Sequence, residues 1–252
     1  DPFIVMQCIG PSFDGFDYVP AEETRGGILL AWDSTVLSVH NIVSDTNSIT
    51  GLVHDKGGST WWVTAVYGPQ GEGPKTQFLC DLHALRAACP GPWMVLGDFN
   101  MILRAKDKSN NNINRRIMRR FKEFVDNNEL KEVYMHGRRL TWTNERDQPV
   151  MTKSDHVLVT VDWGLSHPDV LHQALSTNIS DHAPLHLYTL APFCHKRRFR
   201  FEMYWTKLEG FDQAVRDAWV CDENIVDPFK RMDVLLRNTA VALQAWGQRK
   251  TG

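Results

Sequence analysis

Gly91-Pro92-Trp93-Met94-Val95-Leu96-Gly97-Asp98-Phe99-Asn100 is the stretch on which the fold turns. Its apolar run, Trp93 to Leu96, reads as a buried strand, and Gly97 ends it. Side chains alternate along extended backbone, so Asp98 and Asn100 share one side while Phe99 points back into the core. A carboxylate and a carboxamide side by side at a strand's end suit a hydrated metal ion and a phosphate. An Asx-rich turn closing a strand explains the same residues without any function. Two further polar features shift the balance: Ser180-Asp181-His182 far downstream, and Asp155 between them.

Upstream of this strand, Lys75 to Ala88 reads as a helix, with Phe78, Leu79, Leu82 and Leu85 at helical spacing and Pro90 blocking its continuation. Before it, Thr60 to Tyr67 is a strand rich in tryptophan and valine, ending sharply at Tyr67-Gly68-Pro69. Lys56-Gly57-Gly58 joins it to Ile49–His54 as a hairpin, and Val36–Val43 and Ile28–Trp32 are further strands. Asp1 to Pro20 reads as loop, with turn signals at Gly10-Pro11 and Asp14-Gly15. Strands, helix and strand in this order favour an α/β layered domain.

Downstream lies a helix of about a dozen residues whose apolar stripe is Ile117, Met118, Phe121, Phe124 and Val125. Arg115, Arg116, Arg119, Arg120 and Lys122 crowd its other faces, and Arg104, Lys106 and Lys108 precede it. This most basic part of the chain is either a solvated helix face or a surface that contacts phosphates. Leu140–Asn144 is a short strand, Asp155 opens another, and Asp181-His182 stands at the mouth of a third, Leu185 to Leu190. Past Pro192 the character changes to a basic stretch, His195-Lys196-Arg197-Arg198, and then helical patterning. A boundary near Ala191 separates residues 1–191 from a linker and helical extension, 192–252.

Composition excludes several classes. The chain has 252 residues, is 42% hydrophobic and carries a formal charge of −2, so it is not a uniformly basic binder. Its five cysteines (Cys8, Cys80, Cys89, Cys194, Cys221) are an odd number without Cys-x-x-Cys, which fits a reducing compartment rather than a disulfide framework or zinc site. No apolar run approaches the length of a membrane span, and no signal-peptide pattern opens the chain. There is no P-loop, no G-x-G-x-x-G and no G-x-S-x-G.

If the strand ends share one edge, Tyr67, Asp98, Asn100, Asp155, Asp181 and His182 converge on one pocket. Carboxylates there suit a hard cation such as Mg²⁺, which polarises a phosphoryl oxygen in an in-line displacement. A histidine held by an acid has its tautomer fixed and hydrogen-bonds a phosphate oxygen.

Tyr67-Gly68-Pro69, Gly97-Asp98-Phe99-Asn100, Ser154-Asp155-His156-Val157-Leu158 and Ser180-Asp181-His182-Ala183-Pro184-Leu185 resemble, in order, the motifs of the endonuclease/exonuclease/phosphatase superfamily. Within it the chain is similar to the endonuclease domain of plant LINE-type (non-LTR) retrotransposon polyproteins. Thr24-Arg25-Gly26-Gly27, Leu140–Asn144 and Phe199–Trp205 are similar to that subgroup too. The resemblance implies a two-sheet α/β sandwich with its site at the sheet edge, and metal-dependent nicking of DNA that primes reverse transcription. It implies that Asp98 and Asn100 handle the nucleophilic water and the phosphate. His182 would contact the scissile phosphate with Asp155 orienting it, Tyr67 would touch the phosphate, and Asp181 and Asp98 would lie at Mg²⁺ or Mn²⁺. The arginines at 115, 116, 119 and 120 are the nucleic-acid candidates.

The family opens with a strand carrying an Asn and soon after presents a metal-binding Glu. This sequence begins at Asp1, past both, and neither Glu22 nor Glu23 matches that Glu. The expectation is therefore a sandwich lacking its first strand, impaired in metal binding. A reverse transcriptase domain is expected downstream as partner, and the resemblance implies the nucleus. The alternatives are an inactive remnant that binds nucleic acid or protein, and a phosphatase of the same superfamily.

Overall fold

The computed structural model describes residues 7, 9–10, 12–22, 26–137, 139–144, 149–175, 177, 179–189, 206, 209–221 and 227–251. Glu23, Thr24, Arg25, the basic stretch 195–198 and the aromatic stretch 199–205 lie outside the described residues. The chain divides into two compact units, Asp1–Ala191 and Pro192–Gly252.

The first unit begins with the hairpin β1 (Gly15–Val19) and β2 (Ile28–Trp32). Then come β3 (Leu37–Asp45), β4 (Ser48–Asp55), β5 (Thr60–Tyr67), α1 (Glu72–Ala88), β6 (Trp93–Asp98), α2 (Arg115–Asn127) and β7 (Leu130–Glu132). The unit continues with β8 (Met135–His136), β9 (Trp142–Thr143), β10 (Met151–Thr152), β11 (Asp155–Thr160), α3 (Val161–Ser166), β12 (Leu171–Ala174) and β13 (Leu185–Tyr188). Six strands form the central sheet in the order β3-β4-β5-β6-β11-β7, and β13-β12-β8 form a second sheet. The β5–β6 pair is the parallel one, joined by the crossover helix α1, and its neighbours in the sheet are antiparallel.

Alternation along β6 explains the layering. Trp93 and Val95 join Leu158 of β11 against Phe78 and Leu82 of α1 and Phe121 and Phe124 of α2. Met94, Val63, Val157 and Val159 face the other way and pack with Leu30 of β2 and Leu187 of β13. One face of the central sheet is thus covered by helices and the other by strands. A β6 buried on both faces reads as an unbroken apolar run in the sequence.

Several elements depart from the sequence reading. Gly15–Val19 is a strand rather than loop, fixed by β2 and by Asp14, whose carboxylate accepts from Ser34 N–H (2.8 Å) and Oγ (2.5 Å). Helix α1 starts three residues before Lys75 because Pro74 sits in its first turn, where a missing N–H breaks no helical bond. The strands at Leu140–Asn144 and Leu185–Leu190 are shorter, Trp142–Thr143 and Leu185–Tyr188. β7, β8 and β12 have two to four residues each, too few to show a period of two.

In the second unit, α4 (Phe211–Ala218) packs on α5 (Pro228–Thr251) through Phe211, Ala214 and Val215 against Leu243 and Trp246. Among the described residues no helix is long and apolar enough to cross a membrane.

Candidate active site

Strand register builds the site. Tyr67 ends β5 and pairs with Asp98 at the end of β6; Asp98 pairs in turn with Asp155 at the start of antiparallel β11. All three share the parity of the residues that face the second layer, so they form a row across three adjacent strands. His182 comes from the opposite layer, just before β13. It is held there by bridging to Trp142, by Ala183 N–H donating to Thr141 O (2.7 Å) and by Thr143 N–H donating to Asp181 O (3.0 Å).

The His182 Nδ1 lies 3.0 Å from Asp155 Oδ2 and 3.2 Å from Oδ1, which leaves Nε2 directed at the row, 4.0 Å from Asp98 Oδ2. Asp155 Oδ2 also accepts from Thr141 Oγ1 (2.5 Å) and Ser154 Oγ (3.2 Å). Burial pushes the Asp155 carboxyl up, but the bonds from His182 and Thr141 outweigh it and hold it below the usual range. Asp98 goes the other way: burial and the Asp155 charge raise it, against the Asn100 N–H and His182. His182 is raised by its bond to Asp155 in spite of burial, with Asp98 and Asp181 adding to the effect. The mouth therefore joins a carboxyl held low, a carboxyl pushed up and a histidine biased toward its cation.

Asn100 reaches the same mouth by a different route from the one its spacing suggests. β6 stops at Asp98, and Asn100 is left-handed (φ 53°), its N–H bonded to Asp98 Oδ1 at 2.8 Å. This is the Asx turn, and it keeps Phe99 fully buried while Asn100 lines the cavity that His182 also lines. Asn100 Nδ2 donates to Gly68 O (2.7 Å), and Gln70 Nε2 donates to Asn100 Oδ1 (2.8 Å). The turn packs so closely that a Cβ on Gly68 would lie 2.2 Å from Phe99 O, which explains the glycine after Tyr67. Asp181 is exposed and accepts the Trp142 indole N–H at 2.9 Å.

The four arginines lie on α2 and not in this row. Arg116 pairs with Glu72 (3.0 Å), Arg119 with Glu123 (3.4 Å), Arg120 donates to Thr76 Oγ1, and Arg115 is exposed. Exposed pairs of this kind are worth ~0–1 kcal/mol and yield to a phosphate at little cost.

Sequence reasoning did not single out Thr141, Ser154, Gln70 or Trp142 as parts of the site. It also missed a buried cluster beneath it. His156, fully buried, has Nδ1 2.7 Å from Glu132 Oε1 and Nε2 3.0 Å from Met101 O, and Lys153 Nζ lies 2.7 Å from the same Glu132 oxygen. The signal for His156 was its place next to Asp155, which sends it to the opposite face of β11.

Among the described residues, no group of three His, Cys, Asp or Glu side chains gathers as a metal cage. The Asp98 side chain, 11% exposed, nevertheless lies beside the Asp155 carboxylate, and among the described residues no backbone group bonds its Oδ2. That donor set fits Mg²⁺ or Mn²⁺ held through one or two carboxylates, with water and substrate phosphate completing its shell. It does not fit a closed all-protein site.

The sequence profile of the endonuclease/exonuclease/phosphatase family matches residues 7–182, and the chain belongs to that family. No curated protein sequence matches it significantly. Among solved structures it is similar to the endonuclease domain of TRAS1, a telomere-specific non-LTR retrotransposon. The identity is 14%, the TM-score is 0.52, and the match covers 69% of this chain and 80% of that one. It also aligns with an endonuclease/exonuclease/phosphatase family protein from Bacteroides thetaiotaomicron, at 13% identity and TM-score 0.49, covering 73% and 75%. A humanized D. rerio TDP2 aligns at 12% identity and TM-score 0.48, covering 73% and 78%.

Proposed function

We propose that the chain is a metal-dependent phosphodiesterase that nicks DNA, of the kind that primes reverse transcription in a non-LTR retrotransposon. The observation that carries this is the Tyr67–Asp98–Asp155 row with His182 bonded to Asp155 and aimed at Asp98. Asp98, its pKa raised, orients the attacking water and takes its proton at Oδ2. His182 donates from Nε2 to a phosphate oxygen as negative charge grows there, and Asp155 fixes the ring's tautomer and angle. Tyr67 adds a hydroxyl at the phosphate. Asn100 holds the turn that sets Asp98 and presents its amide beside the phosphate. Asp181 would hold the Mg²⁺ or Mn²⁺ ion, joined by Asp98 while its carboxylate is unprotonated, and the ion's contribution would be Lewis-acid polarisation of the phosphoryl group. The likeness to a retrotransposon endonuclease favours DNA as substrate; a reverse transcriptase domain of the same polyprotein as partner and the nucleus as the place of action are proposed on the motif resemblance alone.

The test is nicking of supercoiled plasmid with Mg²⁺, with and without a chelator. The expected result is conversion to open circles that stops on chelation. Folded protein that binds DNA without cutting it would select the non-catalytic reading instead. Turnover of a phosphomonoester with plasmid left intact would select a phosphatase.

A further inference from the structure

A cavity of about 420 Å³ opens beside the row, and Asn100, Ser154, Trp142 and His182 line the end nearest the proposed chemistry. Its other walls carry two half-buried lysines: Lys75, on the first turn of α1, and Lys108, on the segment between β6 and α2. Lys108 Nζ donates to Asn112 O at 2.7 Å, and both residues line the cavity. Among the described residues neither lysine forms a salt bridge; the Glu72 carboxylate in the same wall is already taken by Arg116 and Asn114. The two ammonium groups feel each other: burial lowers Lys75, Lys108 lowers it further, and only Asp98 raises it. Two cations held close in a partly dry groove repel unless an anion lies between them. The groove is continuous with the place where the cut phosphate would sit.

We propose that this groove is a second phosphate subsite, in which Lys75 and Lys108 hold the phosphate adjacent to the one being cut. The proposal rests on the phosphodiesterase reading and sharpens it: the substrate is a polynucleotide strand with neighbouring phosphates, not an isolated phosphate ester. Base identity is not read here, since lysines on a phosphate position a strand without sequence information.

The experiment compares the wild-type chain with Lys75→Gln/Lys108→Gln and Lys75→Arg/Lys108→Arg. Binding of a fluorescently labelled DNA duplex is followed by anisotropy across a salt series without metal. Turnover of plasmid and of bis(p-nitrophenyl) phosphate, a diester with no neighbouring phosphate, is measured with Mg²⁺. The glutamine pair is expected to weaken duplex binding about tenfold at low salt and to flatten the log–log salt slope by about 0.9, the share of one phosphate. It should lower the ratio of plasmid to small-diester turnover about tenfold, and the arginine pair should restore both readouts. Equal binding and slope in the glutamine pair and wild type would overturn the subsite while leaving the phosphodiesterase reading intact. Equal losses on both substrates would also overturn it, because the lysines would then act on the chemistry or the fold. If wild type cut neither substrate, the phosphodiesterase reading would fail, and the binding arm would still decide the subsite.

Discussion

Two histidine–carboxylate pairs straddle β11, and they differ in what surrounds them. Asp155 and His182 meet between the two strand layers, where His182 keeps 34% of its side chain exposed and one ring nitrogen directed at the mouth. Glu132 and His156 meet on the helix-covered face, where His156 is 0% exposed and both of its nitrogens are spent on protein oxygens. Asp155 and His156 are neighbours in the chain, and so are Asp181 and His182. Neither neighbour pair forms: the strand's alternation sends Asp155 and His156 to opposite faces, and Asp181 turns to the Trp142 indole. The proposed chemistry and the architecture use the same pairing of histidine with carboxylate, and exposure of the second ring nitrogen separates them.

This contrast can be broken at either end. The largest effect is expected at Asp98, where Asp98→Asn should lower phosphodiester cutting about 10⁴-fold. The folded state disfavours this ionised carboxylate, so the melting temperature of that variant should hold or rise. Glu132→Ala should do the reverse. Leaving Lys153 and His156 buried without their carboxylate costs about 3–5 kcal/mol in denaturant titrations, with activity falling only as far as the folded fraction does. His182→Asn should cut activity about 10²–10³-fold and lower the denaturant midpoint only modestly, because Asp155 loses His182 but keeps its bonds from Thr141 and Ser154.

Acid sharpens the comparison further. Burial raises Glu132, but His156 and Lys153 outweigh it and hold the carboxyl well below the usual 4.5. A folded-state value below the unfolded one means stability that is present above pH 4.5 and lost as pH falls through and below it. Glu132→Gln should remove that part of the acid loss in a series of melts from pH 7 to pH 3. The smallest effect is expected on α2, where Arg119→Gln removes an exposed pair with Glu123 and should change stability by less than about 0.5 kcal/mol.

The parts of the fold that were legible are those with a period and some length. β5, β6 and β11 announced themselves by dense apolar runs, α1 and α2 by stripes at helical spacing, and the polar residues at the strand ends marked where the mouth lies. The short strands were not legible, because β7 and β8 are made by pairing with β11 and β12 rather than by their own residues. The Asn100 turn was misjudged in mechanism: a side-chain hydrogen bond, not extended alternation, places Asn100 at the mouth. Gln70, Thr141 and Lys75 join the mouth through contacts 14 to 30 residues away or through a shared cavity, and no local pattern encodes such meetings.

The central claim is that Asp155 and His182, 27 residues apart, act as one unit. A double-mutant cycle on plasmid nicking tests it most directly, with Asp155→Asn, His182→Asn and the pair combined, each checked for folding by circular dichroism. The account predicts that the double variant is no slower than the slower single variant, a coupling of about 2.7 kcal/mol if each single change costs a hundredfold. Losses that multiply would show that the two side chains act separately and would contradict it.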